Sequence, residues 1–474
     1  MGGFFTVGEQ KIRPGAYIRY ENTGAPAEGI VPAGACAAVF KADWGPLGVS
    51  KSILTPTEAE KYYGSVGTNN NMDVITEELA NCEEVIAIRL GSGGTKGTYA
   101  IKDTATTPAT VINAVAKYPG TRAISLTIKD SLTDATMREF IVYEGTKERQ
   151  KITFSKGSGE VDALIAAWTE AGSDWVDLTK VAAGNGTLQT LSQQALAGGA
   201  NPTITNSDYS AAFSVIEALN WDAIAIDTED TTIHALLQGF VSRVFREGKL
   251  IRGVVGEKTT VPLATRMTNA ASFNDFCMHY CLNGWYDAAG NKYEGYRTAA
   301  RIAGIIAAAP ANWSLTHYVI TGATALTETL TNPQIESALQ KGALVFTTSP
   351  QGQVWIEYGI NTLVTLTADQ DAGWKKIRRV STRFELMKRI ATTVDPLIGK
   401  VDNSPDGRAT IIAAAQGIIN KMASEGKLLE GGTITEDPDN APAGDSAWFK
   451  IAVDDLDSGE KLYFAYGFRF APEA

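Results

Sequence analysis

The stretch Lys461-Leu462-Tyr463-Phe464-Ala465-Tyr466-Gly467-Phe468-Arg469-Phe470 alternates with the period of an extended strand. Leu462, Phe464, Tyr466, Phe468 and Phe470 fall on one face, and Tyr463, Ala465, Gly467 and Arg469 on the other, because successive side chains of a strand point to opposite sides. A strand this aromatic needs its backbone edge covered, since unpaired N–H and C=O groups template pairing with another chain. Two readings follow. Either it is an inner strand of the protein's own sheet, or it is lent to a neighbouring copy so that β-pairing builds a polymer. The strand-like residues 448–453 (WFKIAV), across Asp454-Asp455-Leu456-Asp457-Ser458-Gly459, are the local partner expected for it.

Upstream lies the most basic part of the chain. Lys375, Lys376, Arg378, Arg379, Arg383, Lys388 and Arg389 crowd one segment, with Glu385 the only acid among them. Val380, Phe384, Met387, Ile390 and Val394 recur at helical spacing, so the spacing predicts an amphipathic helix with a basic face. Such a face is either simply solvated or docks onto an acidic partner. Residues 408–422 read as a second helix.

Further back, the chain alternates strands and helices. Residues 35–40, 84–90, 222–226 and 250–255 read as buried strands, and residues 57–63, 73–82, 209–219 and 231–245 as helices. This alternation predicts a parallel sheet covered by helices. The small-residue helix 297–309 should pack closely, and residues 343–347 and 353–358 form a hairpin-like pair across Ser349-Pro350-Gln351-Gly352. Residues 98–199 differ from their flanks. Segments 121–129, 138–143 and 151–154 alternate like antiparallel strands, so an inserted, mostly β domain is expected, and its polar character suits an outer surface. Near the start, Ala16, Tyr17, Ile18, Arg19 and Tyr20 form a short β-like piece with no local partner.

With 474 residues the chain divides into several domains, and its 44% apolar content suffices for sizeable cores. A net charge of −11 argues against nucleic-acid binding. No apolar run is long enough to span a bilayer, so membrane insertion is not expected, and the first residues lack the pattern of a signal peptide. Cys36, Cys82, Cys277 and Cys281 are too scattered for a disulfide framework, and free thiols in a reducing cytosol are expected.

Three patterns invite an enzymatic reading. The cluster Gly91-Ser92-Gly93-Gly94-Thr95-Lys96-Gly97 fails as a phosphate loop because Lys96 is followed by Gly97 and not by Ser or Thr. Asp227, Glu229 and Asp230 sit past a strand's carboxyl end, where α/β enzymes place ligands, although Asp230-Thr231-Thr232 also suits a helix N-cap. Cys277, His279 and Cys281 share one face of a strand but lack a fourth metal ligand, and a buried strand explains them as well. No catalytic, metal or cofactor residue is assigned. An α/β enzyme with a ligand site at the carboxyl ends of its strands remains the alternative, and a tube-forming or adhesive surface protein is another.

Taken together, several segments resemble the contractile tail sheath proteins of phages and phage-tail-like bacteriocins, in particular the smaller members from Gram-positive prophage-like particles. The similarity is carried by Arg13-Pro14-Gly15-Ala16-Tyr17, by Asp43-Trp44-Gly45-Pro46-Leu47 through Leu54-Thr55 to Tyr62-Tyr63-Gly64, and by the strand and glycine exit EVIAIRLGSGG at residues 84–94. It continues through Arg301-Ile302-Ala303-Gly304, Ala311-Asn312-Trp313-Ser314, Asn361-Thr362-Leu363 and Ile377-Arg378-Arg379-Val380.

The resemblance implies a multidomain α/β protein. Its parts would be an amino-terminal linking arm (1–25), an α/β core (26–97 and 200–345), an inserted outer β-rich domain (98–199), an α+β tube-facing domain (346–459) and a carboxyl-terminal arm (460–474). It implies a structural role without catalysis or cofactor. Copies would form a helical sheath around an inner tail tube protein, joined at its ends by baseplate and tail terminator proteins. Assembly would take place in the bacterial cytoplasm before the particle is released, and contraction would drive the tube through a target envelope. Strand exchange would use Ala16, Tyr17, Ile18, Arg19, Tyr20, Leu462, Phe464, Tyr466, Phe468 and Phe470. Lys375, Lys376, Arg378, Arg379, Arg383, Lys388 and Arg389 would face the tube.

Overall fold

A computed structural model describes residues 34–468. The expected strand at residues 16–20, the whole 1–25 arm, and Phe470 lie outside the described residues. The chain forms two compact units, which among the described residues comprise 34–36, 81–83 and 221–468 in one and 37–80 and 84–220 in the other.

In the first unit, strands Ala223–Ile226, Arg252–Gly256, Met278–Cys281 and Ala343–Leu344 run parallel in that order. Their side chains are buried on both faces, which is why they read as continuous apolar runs. Thr231–Arg246 is an amphipathic helix started by Asp230, whose Oδ1 accepts from the Thr232 N–H at 2.8 Å. The capping reading of Asp230 is therefore the correct one. Helix Tyr296–Ala308 buries Thr298, Ala299, Ala300, Ile302, Ala303, Gly304, Ile305 and Ile306. Its small residues allow close approach: a Cβ on Gly34 would come within 2.0 Å of the Ala307 carbonyl oxygen. Phe346–Thr348 and Val354–Ile356 form the expected hairpin.

The carboxyl-terminal part of this unit packs helices Ile377–Val394 and Pro405–Ser424 with the ribbon Thr433–Glu436/Phe449–Ala452. Leu386, Ala415, Ile418, Ile419, Met422, Leu428 and Ile434 make one apolar cluster there. One expectation fails. Phe449–Ala452 does not pair with residues 461–468 but with Thr433–Glu436, in register Glu436 to Phe449. Asp455, Asp457 and Glu460, in the connection that was to turn back as a hairpin, are instead held by the basic helix.

In the second unit, Ser50–Ile53 pairs antiparallel with Glu84–Arg89, beside helices Pro56–Tyr63 and Asp73–Leu79. Arg89 is fully buried and donates to the carbonyls of Ala42, Gly45 and Pro119 at 2.9, 2.7 and 2.8 Å, so three loops share one cation. Residues 98–199 build a three-stranded antiparallel sheet (Thr98–Lys102, Thr110–Ala116, Val176–Lys180) and a four-stranded one (Leu191–Ala195, Ile124–Asp130, Met137–Glu144, Lys147–Ser155). With helix Glu160–Ala171 they enclose a core containing Phe140, Phe154, Trp168 and Trp175. The mostly β character expected of this stretch holds.

Candidate functional site

Residues 461–468 are all exposed and form no strand in the isolated subunit. Leu462, Tyr463, Phe464, Tyr466 and Phe468 are 69% to 92% exposed. A run of large apolar groups left in water is the mark of an interaction site. Its backbone N–H and C=O groups make no ladder with the rest of the chain.

A complementary deficiency exists in the ribbon Thr433–Glu436/Phe449–Ala452. It is a two-stranded sheet, so among the described residues each strand has a neighbour on one side only. Two-stranded sheets are marginal, and their open edges accept further strands. One face is seated on the helices through Ile434 and Phe449, which fixes the ribbon as a platform. The unit thus holds a strand-like segment without a sheet and a sheet with open edges, and the one does not close on the other.

The basic segment lies just behind. It forms the expected helix, but none of its seven cations is exposed. Arg379 makes a bidentate pair with Asp455, Nε to Oδ2 at 2.7 Å and Nη2 to Oδ1 at 2.6 Å. Arg383 bridges Asp371 and Asp455. Lys388 pairs with Asp222, and Arg389 with Glu385 and Glu425. Lys376 lies 2.7 Å from both Asp457 and Glu460. The expectation of a free basic face is corrected accordingly, because the chain's own distant carboxylates occupy five of the seven cations. Lys375 donates to the Val364 carbonyl at 2.5 Å, and Nε of Arg378 has no hydrogen-bond partner.

Glu460 is the best-held of these acids. Its Oε1 accepts from Ser314 Oγ at 2.5 Å, Thr316 Oγ1 at 2.9 Å and Ser458 Oγ at 2.8 Å, and its Oε2 accepts from Lys376. Burial alone would raise its pKa, but the Lys376 ammonium and the three hydroxyls outweigh it and hold the carboxyl at about 2. Asp455 follows the same pattern: burial raises it, and Arg379 and Arg383 bring it below its usual value. Sequence reading singled out the cations and missed their partners Asp371, Asp455, Asp457 and Glu460, and with them Ser314 and Thr316, which hold Glu460. The available signal was the acidic run at residues 454–460, opposite in charge to 375–389.

The enzymatic candidates are not brought together into a site. Glu229 pairs with Lys258, and Asp227 is buried. His279 is buried and its pKa is driven down to about 3 by desolvation and by the charge of Arg252. Burial pushes the Cys277 and Cys281 thiols up, so they stay protonated and poor as metal ligands. Among the described residues no cluster of three His, Cys, Asp or Glu could hold a metal ion, all four cysteines are free and buried, and no helix is long and apolar enough to cross a membrane. A cavity of about 410 Å³ in the second unit is lined in part by Gly97, Gly120, Gly145, Gly198 and Gly199. Its Arg122 is already committed to Glu144 and to the carbonyls of Glu60 and Lys61.

Comparison with known proteins gives concordant results. Residues 92–201 match the model of the phage tail sheath protein β-sandwich domain, and residues 203–362 that of the phage tail sheath protein central domain. The phage-like element PBSX protein XkdK of Bacillus subtilis is 25% identical over 98% of both chains. The crystal structure of a sheath tail protein from Desulfitobacterium hafniense superposes with a TM-score of 0.72 at 22% identity, covering 93% of this chain and 100% of that one. The helical sheath of the anti-feeding prophage in its contracted state shares the fold with a TM-score of 0.56 at 10% identity, over 97% and 99% of the two chains.

Proposed function

The chain belongs to the phage tail sheath protein family and is a structural subunit of a contractile sheath, and we propose that its copies interlock by exchanging strands. In this reading the segment from Lys461 onward leaves its own subunit and adds to an open edge of the Thr433–Glu436/Phe449–Ala452 ribbon of another copy. Residues 16–20 of a further copy add to the other edge. The observation that carries the reading is the pairing of deficiencies within one unit: exposed Leu462, Phe464, Tyr466 and Phe468 on an unpaired backbone, and a ribbon whose two strands each have a strand neighbour on one side only among the described residues, the Ile434 N–H on the outer edge of Thr433–Glu436 being held by Gln416 Oε1 at 3.1 Å. Main-chain hydrogen bonds then give the mesh its strength, and the alternating aromatic side chains fix its register.

The sheath surrounds an inner tail tube, and baseplate and tail terminator proteins close its ends. Assembly occurs in the bacterial cytoplasm before the tail or tail-like particle is released. Tube contact falls to Lys375 and Arg378, the two cations of the basic segment that make no ion pair with a carboxylate among the described residues, and the other five serve the subunit's own architecture. Contraction rearranges nearly rigid subunits about their arms, drawing on a metastable assembly and not on catalysis.

Amide hydrogen exchange tests the exchange directly. Residues 461–468 should exchange freely in dispersed subunits and become protected by at least about a hundredfold in cylinders, the protection expected for ladder-bonded amides. Equal, rapid exchange in both states would refute strand exchange.

A further inference from the structure

The boundary between what belongs to a subunit and what it lends is sharp. Glu460 has a side chain 8% exposed and four hydrogen-bond donors, whereas every residue from Lys461 to Phe468 is exposed. Behind Glu460, the connection is fastened twice more: Asp457 to Lys376, and Asp455 to Arg379 and Arg383. Ahead of it, Lys461 Nζ lies 5.8 Å from the Tyr358 ring centroid, with Lys376 Nζ at 5.7 Å from the same ring.

We propose that Glu460 is the pivot of the carboxyl-terminal arm, a positioning residue clamped by Ser314, Thr316 and Lys376, so that the arm swings about the Glu460–Lys461 junction and the acidic connection before it stays with the subunit. The inference rests on the strand-exchange reading and adds a fixed origin to it. Its chemistry is specific. Ser314 and Thr316 come from the segment after the small-residue helix and Lys376 from the start of the basic helix, so one carboxylate joins the chain's last rigid point to two elements of the unit. An ion pair reinforced by three hydroxyl hydrogen bonds resists pulling better than a lone exposed pair, because the charges are partly desolvated and the geometry is determined. A segment under tension between subunits needs such an anchor, or the load would peel the connection from the helix one pair at a time.

Trypsin supplies a test in which the cleaved sequence stays constant. Lys461 follows the pivot directly, and Arg469 lies eight residues further on as an internal reference. Proteolysis of an opened state tracks its population. On the full chain kept below its assembly concentration, Lys376→Met and the pair Ser314→Ala/Thr316→Val should each raise cleavage after Lys461, relative to Arg469, by about tenfold, as loss of charge-assisted hydrogen bonds predicts. Lys376→Arg should restore the slow ratio. A ratio unchanged in both variants would overturn the pivot. If a chain ending at Glu460 still forms normal cylinders, strand exchange itself fails. If that truncation abolishes cylinders while the trypsin ratio never moves, only the pivot fails.

Discussion

Arg379 and Asp455 meet in a two-point pair, Nε to Oδ2 at 2.7 Å and Nη2 to Oδ1 at 2.6 Å, although 76 positions separate them in the chain. Asp455 also receives Arg383, so one carboxylate pairs with two guanidinium groups on successive turns of the helix Ile377–Val394, and Asp371 supplies the second negative charge. Removing one partner of a buried pair costs more than the pair contributes, because the other charge stays desolvated. Asp455→Asn is therefore expected to lower stability by about 3 kcal/mol, read as a fall in the urea midpoint. A change smaller than about 1 kcal/mol would place the pair among ordinary surface ion pairs.

The buried imidazole of His279 makes stability depend on acid. Burial, with the Arg252 charge, lowers its pKa from 6.5 to about 3. Between those values the unfolded chain takes up a proton that the folded chain refuses. The folded state therefore loses stability as pH falls from 6.5 toward 3 and holds this contribution in full above 6.5. Glu460 acts in the same direction at lower pH: held at about 2, it contributes above its ordinary 4.5 and loses that contribution as pH falls toward 2. Urea titrations across this range should show a slope between pH 6.5 and 4.5 that flattens in His279→Leu, and an unaltered slope would exclude His279 as its source.

Much of the architecture was legible because its periodicities are strong. Residues 35–40 and 84–90 read as strands and residues 231–245 and 297–309 as helices because burial imposes continuous apolar runs or a 3.6-residue period, and the structure places elements there. The β-sandwich was legible only in part. Thr98–Lys102, Val176–Lys180 and Leu191–Ala195 bury only one residue each, so little apolar pattern marks them. Helix Leu263–Phe273 was hidden by its polar residues, of which the buried Arg266 pairs with Glu328. At the candidate site, the cations and the aromatic alternation were visible, but the pairing was not. Asp371, Asp455, Asp457 and Glu460 reach Lys376, Arg379 and Arg383 through the fold, and periodicity carries no record of long-range partners. The same holds for Thr433–Glu436, a short polar strand that took the place expected for residues 461–470.

Contact with an inner tube can be separated from the architecture of the basic helix. Lys375→Glu with Arg378→Glu reverses two charges without breaking an ion pair of the subunit, whereas Lys376→Glu and Arg379→Glu disrupt Glu460 and Asp455. The first pair, which costs the Lys375 to Val364 hydrogen bond but no ion pair, should lower the urea midpoint less than the second and reduce co-sedimentation with tube at low salt, where charges are least screened. The second pair should destabilise the subunit outright. Equal tube binding by the first variant and the native chain, at every salt concentration, would remove Lys375 and Arg378 from the interface.

Electron microscopy of two chains compares the assembly claim with its absence. The full chain should form wide hollow cylinders, and the chain ending at Glu460, with its anchor intact and only the exposed segment gone, should remain folded by circular dichroism and appear as discrete particles. Cylinders of normal length and diameter from the shortened chain would contradict the account.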